Sequence, residues 1–505
     1  MSNLMKINAP VDVASVAQWN RSAEVVIVGA GVAGVCAALE AHRAGADVLV
    51  IERASGGGGA SATSQGIWYL GGGTAVQRAC GYEDSPQEMY NFMRASTSTK
   101  NDEALKRFCD NAAAHCDWIE AQGVPIERRA YKSKAVYVTS GEGLLFTGNE
   151  KAWPFRDQAA PAPRGHQTRA SPEKNGGAAA MDALLATFAA EKIPAIYDSG
   201  VTALVINADG RVVGVQVRQA GNAFYVQARK GVILAAGSFN NNARMTSENL
   251  PVIGKYGSPL GIPSNDGAGI LLGQSVGGAV ANMDGVIATA SIYPPADLIK
   301  GIIVNKKGER FVAEDVYHGR LAYFVERQPD HAAYLIVDSE IFDYPKHGMH
   351  HLVDGWETVQ EMEAGLGLPA GSLTKTLSEY NEDVSKGADS HFHKHAEWLK
   401  LLDRGPFAAF DISITSSDYR YIALGGLSTN ADSQVLDKEG QAIAGLYAAG
   451  ATAAHFPTSG AEYASGMSLG PGSFFGRIAG GHAARQAACI AQAAALLGKL
   501  PKQFQ

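Results

Sequence analysis

Cysteine is scarce in this sequence, and no two cysteines form a recognisable pair. Five occur in 505 residues, none in a Cys-x-x-Cys spacing: Cys36, Cys80, Cys109, Cys116 and Cys489. An odd number without that spacing argues against a disulfide framework and against a zinc or iron–sulfur site. We therefore expect a protein of the reducing cytoplasm, and we predict no metal site.

Long apolar runs are also missing. No stretch reaches the roughly 18 apolar residues that indicate a membrane-spanning helix. Residues 1–20 contain neither a charged leader nor an apolar segment of the kind found in secretory signals. We expect no membrane span and no export of the chain.

An excess of positive charge is absent. The sequence has 43 lysines and arginines against 50 acidic residues, a net charge of -7, and no basic cluster. Nucleic acid is therefore not an expected partner. The hydrophobic share of 46% and the length predict a globular protein with two or three cores.

The N-terminal part contains a complete βαβ unit. An apolar strand at 24–28 leads into Gly29-x-Gly31-x-x-Gly34, a helix to about residue 44, and a second strand at 47–51. The glycines permit a tight turn, a close approach to a pyrophosphate and packing of the helix on the strand. Glu52 ends the second strand, where a carboxylate can accept hydrogen bonds from a ribose. The pattern predicts an α/β, Rossmann-type nucleotide site.

Two further segments favour FAD over NAD. The small-residue loop at 55–66 can lie along a pyrophosphate and a flavin. More than four hundred residues after the first motif, Gly445-Leu446-Tyr447-Ala448-Ala449-Gly450 reads as a strand that returns to the same sheet. A chain that returns in this way is typical of flavoproteins that hold an extended cofactor.

Changes in residue composition along the sequence indicate three parts. We assign residues 20–285 to the first part of the FAD-binding domain, 286–414 to an inserted catalytic and substrate domain with α+β character, and 415–505 to the second part of the FAD-binding domain. Helices are expected near 85–95, 104–122, 177–191, 373–385 and 474–497. Separate strands are expected at 224–228 and 231–236, the second of them in the central sheet.

The sequence resembles the fumarate reductase/succinate dehydrogenase flavoprotein superfamily and, within it, the 3-ketosteroid dehydrogenases, most closely the Δ4-(5α) type. The superfamily matches lie at 25–52, 231–237, 304–312, 424–450 and 476–480. The steroid-type matches lie at 69–74, 79–81, 160–166, 314–320 and 463–470. Together they span nearly the whole chain.

At three places the sequence differs from members of the wider superfamily. The differences argue against a diacid reductase, a haem-containing reductase and a covalently bound flavin. Diacid reductases place a proton-donating arginine just after the Glu-Arg-Phe-Val segment, where this sequence has Tyr317-His318. No Cys-x-x-Cys-His haem motif is present. Ser64-Gln65 stands where succinate dehydrogenases carry a flavin-linking histidine, so the resemblance implies a non-covalent FAD.

The resemblance implies an activity and a set of residues. The expected reaction introduces a C4–C5 double bond into a 3-oxosteroid by loss of an α-proton and transfer of a β-hydride to flavin N5. Tyr463, with the Gly466 N–H, would donate to the C3 carbonyl. Ser465 would take the C4 proton with help from Tyr317.

Motif and resemblance together give the candidate site. The residues expected to contact FAD are Gly29, Gly31, Ala33, Gly34, Glu52, Arg53, Ser61, Ser64, Gln65, Gly66, Gly237, Gly450, Ser468 and Leu469. Trp68, Tyr69 and Phe456 are expected as apolar walls of the steroid pocket, with core packing as the alternative for each.

Several alternatives stay open. The chain could act as a Δ1-dehydrogenase, or as a fumarate-reductase-like flavin reductase of an enone or unsaturated acid; a non-catalytic flavin protein is the third choice. The electron acceptor and the preference for 5α or 5β substrates are undetermined. His391, His393 and His395 alternate, but Lys394 and Glu397 beside them indicate a solvated face rather than a metal site.

Overall fold

The computed structural model describes residues 4–488 and shows a mixed α/β fold. Residues 489–505 lie outside the described residues. They include Cys489, the last part of the predicted helix 474–497 and the end of the predicted third part. The strands are β1 (Val11–Asp12), β2 (Arg21–Val28), β3 (Val48–Ile51), β4 (Ile67–Tyr69), β5 (Leu144–Leu145), β6 (Gly165–Gln167), β7 (Ala195–Ile196), β8 (Ser199–Ile206), β9 (Val212–Gln219), β10 (Asn222–Leu234), β11 (Ser258–Pro259), β12 (Val280–Ala281), β13 (Val286–Thr289), β14 (Ile302–Asn305), β15 (Ala333–Asp338), β16 (His351–Trp356), β17 (Phe407–Asp411), β18 (Arg420–Ala423), β19 (Gly426–Leu427), β20 (Gln434–Leu436) and β21 (Ala442–Ala448).

The α-helices lie between and after these strands. They are α1 (Val32–Arg43), α2 (Gly59–Thr63), α3 (Ala75–Ala79), α4 (Pro86–Ser96), α5 (Asp102–Ala121), α6 (Gly176–Ala190), α7 (Ala243–Asn249), α8 (Ile253–Tyr256), α9 (Ala268–Ser275), α10 (His318–Glu326), α11 (Val359–Gly365), α12 (Ser372–Ser385) and α13 (Leu469–Arg485). Short 3-10 turns occur at Val13–Ser15, Phe155–Asp157, Ala296–Lys300, Pro329–His331, Ala396–Trp398 and Gly450–Thr452.

A large sheet forms the centre, with the order β1-β8-β9-β10-β2-β3-β7, and β21 and β20 attached beside β10. Residues of β2 alternate between two cores: Val25 and Ile27 face one, Val26 and Val28 the other. Because both faces are covered, residues 25–28 are all apolar and buried, which is why this half of the strand has the sequence of a buried parallel strand. The Rossmann-type fold expected from the first motif is confirmed.

Strand β10 has both antiparallel and parallel neighbours. Its first half runs antiparallel to β9, and its second half runs parallel to both β2 and β21. The prediction of two separate strands at 224–228 and 231–236 was wrong: they are one strand, whose register against β2 shifts between Ala228 and Gly231. The shift lets one continuous strand serve both the outer meander and the parallel centre.

Helices α1 and α13 pack closely beside the sheet. A side chain on Gly476 would come within 2.3 Å of the Ala33 carbonyl oxygen, and one on Gly480 within 2.2 Å of that of Ala37. Small residues four positions apart therefore let the two backbones touch. This contact fixes the C-terminal helix, which begins five residues earlier than predicted, against the helix of the first motif.

A second sheet lies within the predicted inserted part. It has the order β14-β15-β17-β16, is antiparallel, and packs with α10, α11 and α12 around its own core. That core also includes Phe239, Met245 and Ile270 from before residue 286. The boundaries 286 and 414 therefore stay predictions.

Buried charges hold the segment that leads to α10. Glu314 accepts from Arg310 Nη2 at 2.8 Å and pairs with Lys394 Nζ at 2.9 Å, while Arg310 also bonds Asp389 at 2.9 Å. The side chains of Glu314 and Lys394 have no solvent exposure. Burial raises the pKa of the Glu314 carboxyl, but the two cations outweigh burial, and the net pKa lies below the ordinary value.

We expect Glu314→Gln to lower the free energy of unfolding by about 3–5 kcal/mol, because it leaves two buried cations short of a carboxylate. Since the folded pKa of Glu314 is depressed, its contribution is present above the unfolded pKa of about 4.3 and is lost as the pH falls through the folded value. Urea unfolding followed by circular dichroism measures the change. Glu340→Gln, at a half-exposed partner of Lys400, is the matched control and should cost about 1 kcal/mol or less. Equal effects of the two changes would contradict this account.

Candidate active site

Three parallel strands end together at the site. Val28 of β2, Leu234 of β10 and Ala448 of β21 are aligned in register, so the turns that follow them meet at one edge of the sheet. Ligands of open α/β sheets bind at such carboxyl ends. A cavity of about 410 Å³ opens at this edge and extends from Met5 and Glu52 to Tyr317.

The first turn accepts only glycine at two positions. Gly29 has φ +106°, and a Cβ there would lie 2.4 Å from the Ala235 carbonyl oxygen. A Cβ on Gly34 would lie 1.9 Å from the Gly29 oxygen. Gly31 is the N-cap of α1 and lines the cavity, so the N-terminus of that helix faces the open space. The geometry suits a pyrophosphate.

Glu52 is held rigidly at the end of β3. One carboxylate oxygen accepts the Ala30 N–H at 2.7 Å and the other accepts the Ala54 N–H at 2.8 Å. Its neighbour Arg53 also lines the cavity, and its charge is paired with Asp266 at 2.7 Å. Both residues stand where the ribose end of a dinucleotide was expected.

The small-residue loop follows the cavity wall and contains the short helix α2. Ser61, Ser64 and Gln65 line the cavity, and the Ser61 hydroxyl accepts the Val32 N–H at 3.2 Å. Gly66 lies behind this wall, where a Cβ would come within 2.3 Å of the Gly176 backbone. The loop therefore joins the wall to the start of α1.

Most predicted cofactor residues come together in this cavity. Those that line it are Gly29, Gly31, Ala33, Glu52, Arg53, Ser61, Ser64, Gln65, Gly237, Gly450, Ser468 and Leu469. Gly34 and Gly66 do not occur among the described lining residues, and their backbones shape the turns behind it. Gly450 has φ +62°, and a Cβ there would come within 2.8 Å of Ala33 Cβ, so the turn after the returning strand β21 also favours glycine. This elongated cradle fits FAD.

The three predicted catalytic hydroxyls share the far end of the cavity. Tyr317 Oη lies 3.0 Å from Ser465 Oγ, and the rings of Tyr317 and Tyr463 are 6.4 Å apart. The loop between β5 and β6 holds both partners: Asn149 accepts the Tyr317 N–H at 2.8 Å, and the Thr147 carbonyl accepts the Ser465 N–H at 2.9 Å. No pattern in the sequence indicates these two hydrogen bonds between distant segments.

Tyr463 has a separate hydroxyl partner. Its Oη lies 2.8 Å from Ser468 Oγ, at the beginning of α13. Gly466 between them has φ +100°, and a Cβ there would meet the Tyr69 backbone nitrogen at 2.4 Å. The Tyr69 N–H donates to the Gly466 carbonyl at 3.1 Å. A glycine is therefore required for this turn.

The groups at this end of the cavity are electrically neutral. Burial raises the pKa of Tyr317 well above its ordinary value and also raises the pKa of Tyr463. Burial lowers the pKa of His318 to about 3, and its Nδ1 lies 2.7 Å from Thr289 Oγ1. Hydroxyls and a neutral imidazole suit an apolar ligand better than charges do.

The three aromatic residues predicted as apolar walls have partners within the protein. Trp68 donates to Thr168 at 2.9 Å, Tyr69 donates to Glu150 at 3.1 Å, and Phe456 packs on Phe108 and Phe475. None of Trp68, Tyr69 and Phe456 occurs among the described lining residues of the cavity. The described lining residues include the aliphatic side chains of Val136, Leu260, Ile287 and Ile422.

These aliphatic residues were missed because they belong to four separate segments. Ile287 lies on β13 and Ile422 on β18, and the two are paired across the sheet. Apolar residues in short strands carry no mark that distinguishes a pocket wall from a core. Substrate contacts by Trp68, Tyr69 and Phe456 stay predictions.

Within residues 4–488, no cluster of three or more His, Cys, Asp and Glu side chains is arranged to hold a metal ion. No described helix is both long and apolar enough to cross a bilayer.

Comparison with known proteins gives consistent relatives. A 3-oxo-5-alpha-steroid 4-dehydrogenase of Comamonas testosteroni is 28% identical, with 89% of this chain and 97% of the relative covered. The crystal structure of a 3-ketosteroid-delta4-(5alpha)-dehydrogenase from Rhodococcus jostii RHA1, in complex with 4-androstene-3,17-dione, is 38% identical. It has a TM-score of 0.89 and covers 95% of this chain and 100% of that one. A probable fumarate reductase of Shewanella frigidimarina is 26% identical over 93% of this chain and 76% of the relative.

The fold and the site define an FAD-dependent oxidoreductase. The family model for the FAD binding domain matches residues 24–469. The chain belongs to this family, and its cofactor is FAD. The expectation of an FAD-containing flavoprotein, made from the two separated glycine motifs, is confirmed.

We expect Glu52→Ala to weaken FAD binding about tenfold to a hundredfold, because two backbone N–H groups at the ribose end lose a charged acceptor. Titration of the apoprotein with FAD, followed by flavin fluorescence, measures the dissociation constant. Glu24→Ala is the matched control: Glu24 also accepts a backbone N–H, from Asp47, but does not occur among the described lining residues. A dissociation constant that is the same in both variants would remove Glu52 from the cofactor site.

Proposed function

We propose that this protein introduces a C4–C5 double bond into saturated 3-oxosteroids. The observation that carries the proposal is the 3.0 Å pair of Tyr317 and Ser465, which faces the same cavity as Tyr463 beside the FAD cradle. The steroid dehydrogenases named above support it. The roles of the individual residues are those that the resemblance implies, and the contacts described above support them.

Tyr463 is the proposed donor to the C3 carbonyl oxygen, with the Gly466 N–H as the second donor. As the α-proton leaves, negative charge develops on this oxygen. A neutral hydroxyl fixed in place stabilises that charge without the cost of burying an ion. Both residues line the cavity at its far end.

Ser465 is the proposed acceptor of the C4 proton. Its own proton passes to the Tyr317 oxygen across 3.0 Å, so Tyr317 must first have released its proton to solvent. The C4–H electron pair then forms the C4–C5 double bond as hydrogen leaves C5 as hydride. FAD, when bound, supplies the two-electron acceptor for that hydride.

The charges along the cavity argue against a dicarboxylate substrate. Arg53 is the only lysine or arginine among the described lining residues, and it is paired with Asp266 at the ribose end. A substrate with two carboxylates would find no counter-charge beside Tyr463 and Ser465. Val136, Leu260, Ile287 and Ile422 offer instead the apolar surface that a steroid skeleton requires.

We infer that the reaction takes place in the cytoplasm. Cys36, Cys109 and Cys116 are buried free thiols, which suits a reducing cytoplasm.

Anaerobic mixing of the FAD-loaded protein with candidate substrates tests the function. We expect 5α-3-oxosteroids to bleach the flavin absorbance and to yield the 4-ene-3-ketone, identified by mass spectrometry and NMR. A 1-ene product would assign the Δ1 reaction instead. Failure of every steroid, combined with reoxidation of the chemically reduced protein by fumarate, would overturn the proposal.

In the same assay, Tyr463→Phe should slow bleaching roughly 10²–10³-fold while FAD stays bound, since one donor to the developing oxyanion is lost. Tyr447→Phe is the matched control, because the Tyr447 hydroxyl bonds His482 rather than a cavity group. An unchanged rate in Tyr463→Phe would remove this residue from the reaction.

We expect the bleaching rate to rise with pH from 7 to 10 without a plateau. Burial raises the pKa of Tyr317 well above 10, so the fraction that has released its proton grows across the whole range. Stopped-flow measurements at constant ionic strength follow the rate, and Tyr317→Phe should show no such rise. A plateau below pH 9 that persists in Tyr317→Phe would contradict the assigned role.

A further inference from the structure

A line of hydrogen bonds runs from Tyr463 away from the cavity. Tyr463 Oη lies 2.8 Å from Ser468 Oγ, which lies 3.4 Å from His455 Nε2. On the other side of the ring, His455 Nδ1 lies 3.1 Å from the Leu424 carbonyl oxygen. Three groups, the Ser468 hydroxyl, the His455 ring and the Leu424 carbonyl, thus stand behind the proposed ketone donor.

The chemistry of these groups determines where the protons lie. A carbonyl oxygen only accepts, so His455 Nδ1 carries the proton that is donated to Leu424. Burial lowers the pKa of His455, so the ring is neutral and its Nε2 is an acceptor. Ser468 then donates to Nε2, and its oxygen is left to accept the proton of Tyr463.

A substrate ketone in the cavity reverses the direction of the hydrogen bond between Tyr463 and Ser468. When Tyr463 donates to a ketone oxygen, the Ser468 proton can turn from the long 3.4 Å contact with His455 to the Tyr463 oxygen at 2.8 Å. Little is lost, because a hydrogen bond of 3.4 Å is weak. A donor that itself accepts a hydrogen bond is polarised and donates more strongly.

A second feature acts in the same direction. Ser468 is the N-cap of α13, a helix of 17 residues, so the positive end of that helix lies beside the tyrosine oxygen. Burial raises the pKa of Tyr463, and hydrogen bonds from the side chain and backbone of Ser468 oppose that rise. Both effects make the hydroxyl a better donor to an oxyanion.

We propose that Ser468 is a positioning residue that directs the Tyr463 hydroxyl to the substrate ketone and strengthens its donation, with His455 holding the alternative proton position in the free protein. This inference rests on the proposed function of Tyr463. It assigns to the Ser468 side chain a task beyond the FAD contact predicted from the sequence.

The test measures the ketone directly. A 4-ene-3-oxosteroid labelled with ¹³C at C3 is bound to the oxidised holoprotein, and the downfield shift of its carbonyl resonance reports the strength of hydrogen bonding to the oxygen. We expect Ser468→Ala to reduce this shift by more than half and to lower kcat on the order of tenfold. Ser468→Thr, which keeps a hydroxyl, should restore most of both.

Control variants distinguish a failure of this inference from a failure of the proposed role of Tyr463. Ser473→Ala removes another hydroxyl of α13, one that bonds backbone carbonyls and His115, and should leave the carbonyl shift unchanged. If Ser468→Ala loses FAD, Ser468→Cys replaces it, because a thiol of similar size is a weak donor. If the carbonyl shift is undiminished in Ser468→Ala or Ser468→Cys but is lost in Tyr463→Phe, this inference is wrong and the proposed role of Tyr463 stands. A shift that survives in Tyr463→Phe overturns the proposed role of Tyr463 itself.

Discussion

The parallel pairing of β2, β10 and β21 is the constraint on which the site depends. It brings together segments that are about two hundred residues apart at each step, and it aligns Val28, Leu234 and Ala448 at one edge. Backbone hydrogen bonds set this register, and the two cores on either face of the sheet lock it, since a slip by one residue would turn every side chain to the other face. The glycine turns meet only because the register holds.

The end of the cavity that holds the proposed catalytic hydroxyls requires a second constraint, because Tyr317 belongs to another part of the chain. The buried charges Arg310, Glu314, Asp389 and Lys394 fix the segment that leads to it. Asn149 then accepts its backbone N–H, while Thr147 in the same loop holds Ser465. A network of buried charges is poor evidence for stability in itself, but it gives one geometry to a segment that reaches across a cavity.

Much of the fold and part of the site could be predicted from residues alone. The βαβ unit, the returning strand and the loop of small residues carry strong local patterns, because glycine positions and continuous apolar strands are demanded by close backbone contact. The predictions for Trp68, Tyr69 and Phe456 rested on residue type, and large aromatic side chains serve in cores as readily as in pockets. The division of β10 into two strands failed because a register shift inside a continuous strand looks the same in sequence as a turn.

The sequence alone is enough to predict the nucleotide-binding fold, the central sheet built from distant segments and the FAD cofactor, since each depends on short-range patterns of glycine and apolar residues. It also pointed, through its resemblance, to Tyr317, Tyr463 and Ser465. The pairing of these hydroxyls depends on the three-dimensional fold: Tyr317 with Ser465, and Tyr463 with Ser468. The fold also brings aliphatic side chains from four separate segments to the same cavity, where Arg53 is the only lysine or arginine among the described lining residues. Such pairings depend on distances between segments far apart in the chain, and no local pattern encodes those distances.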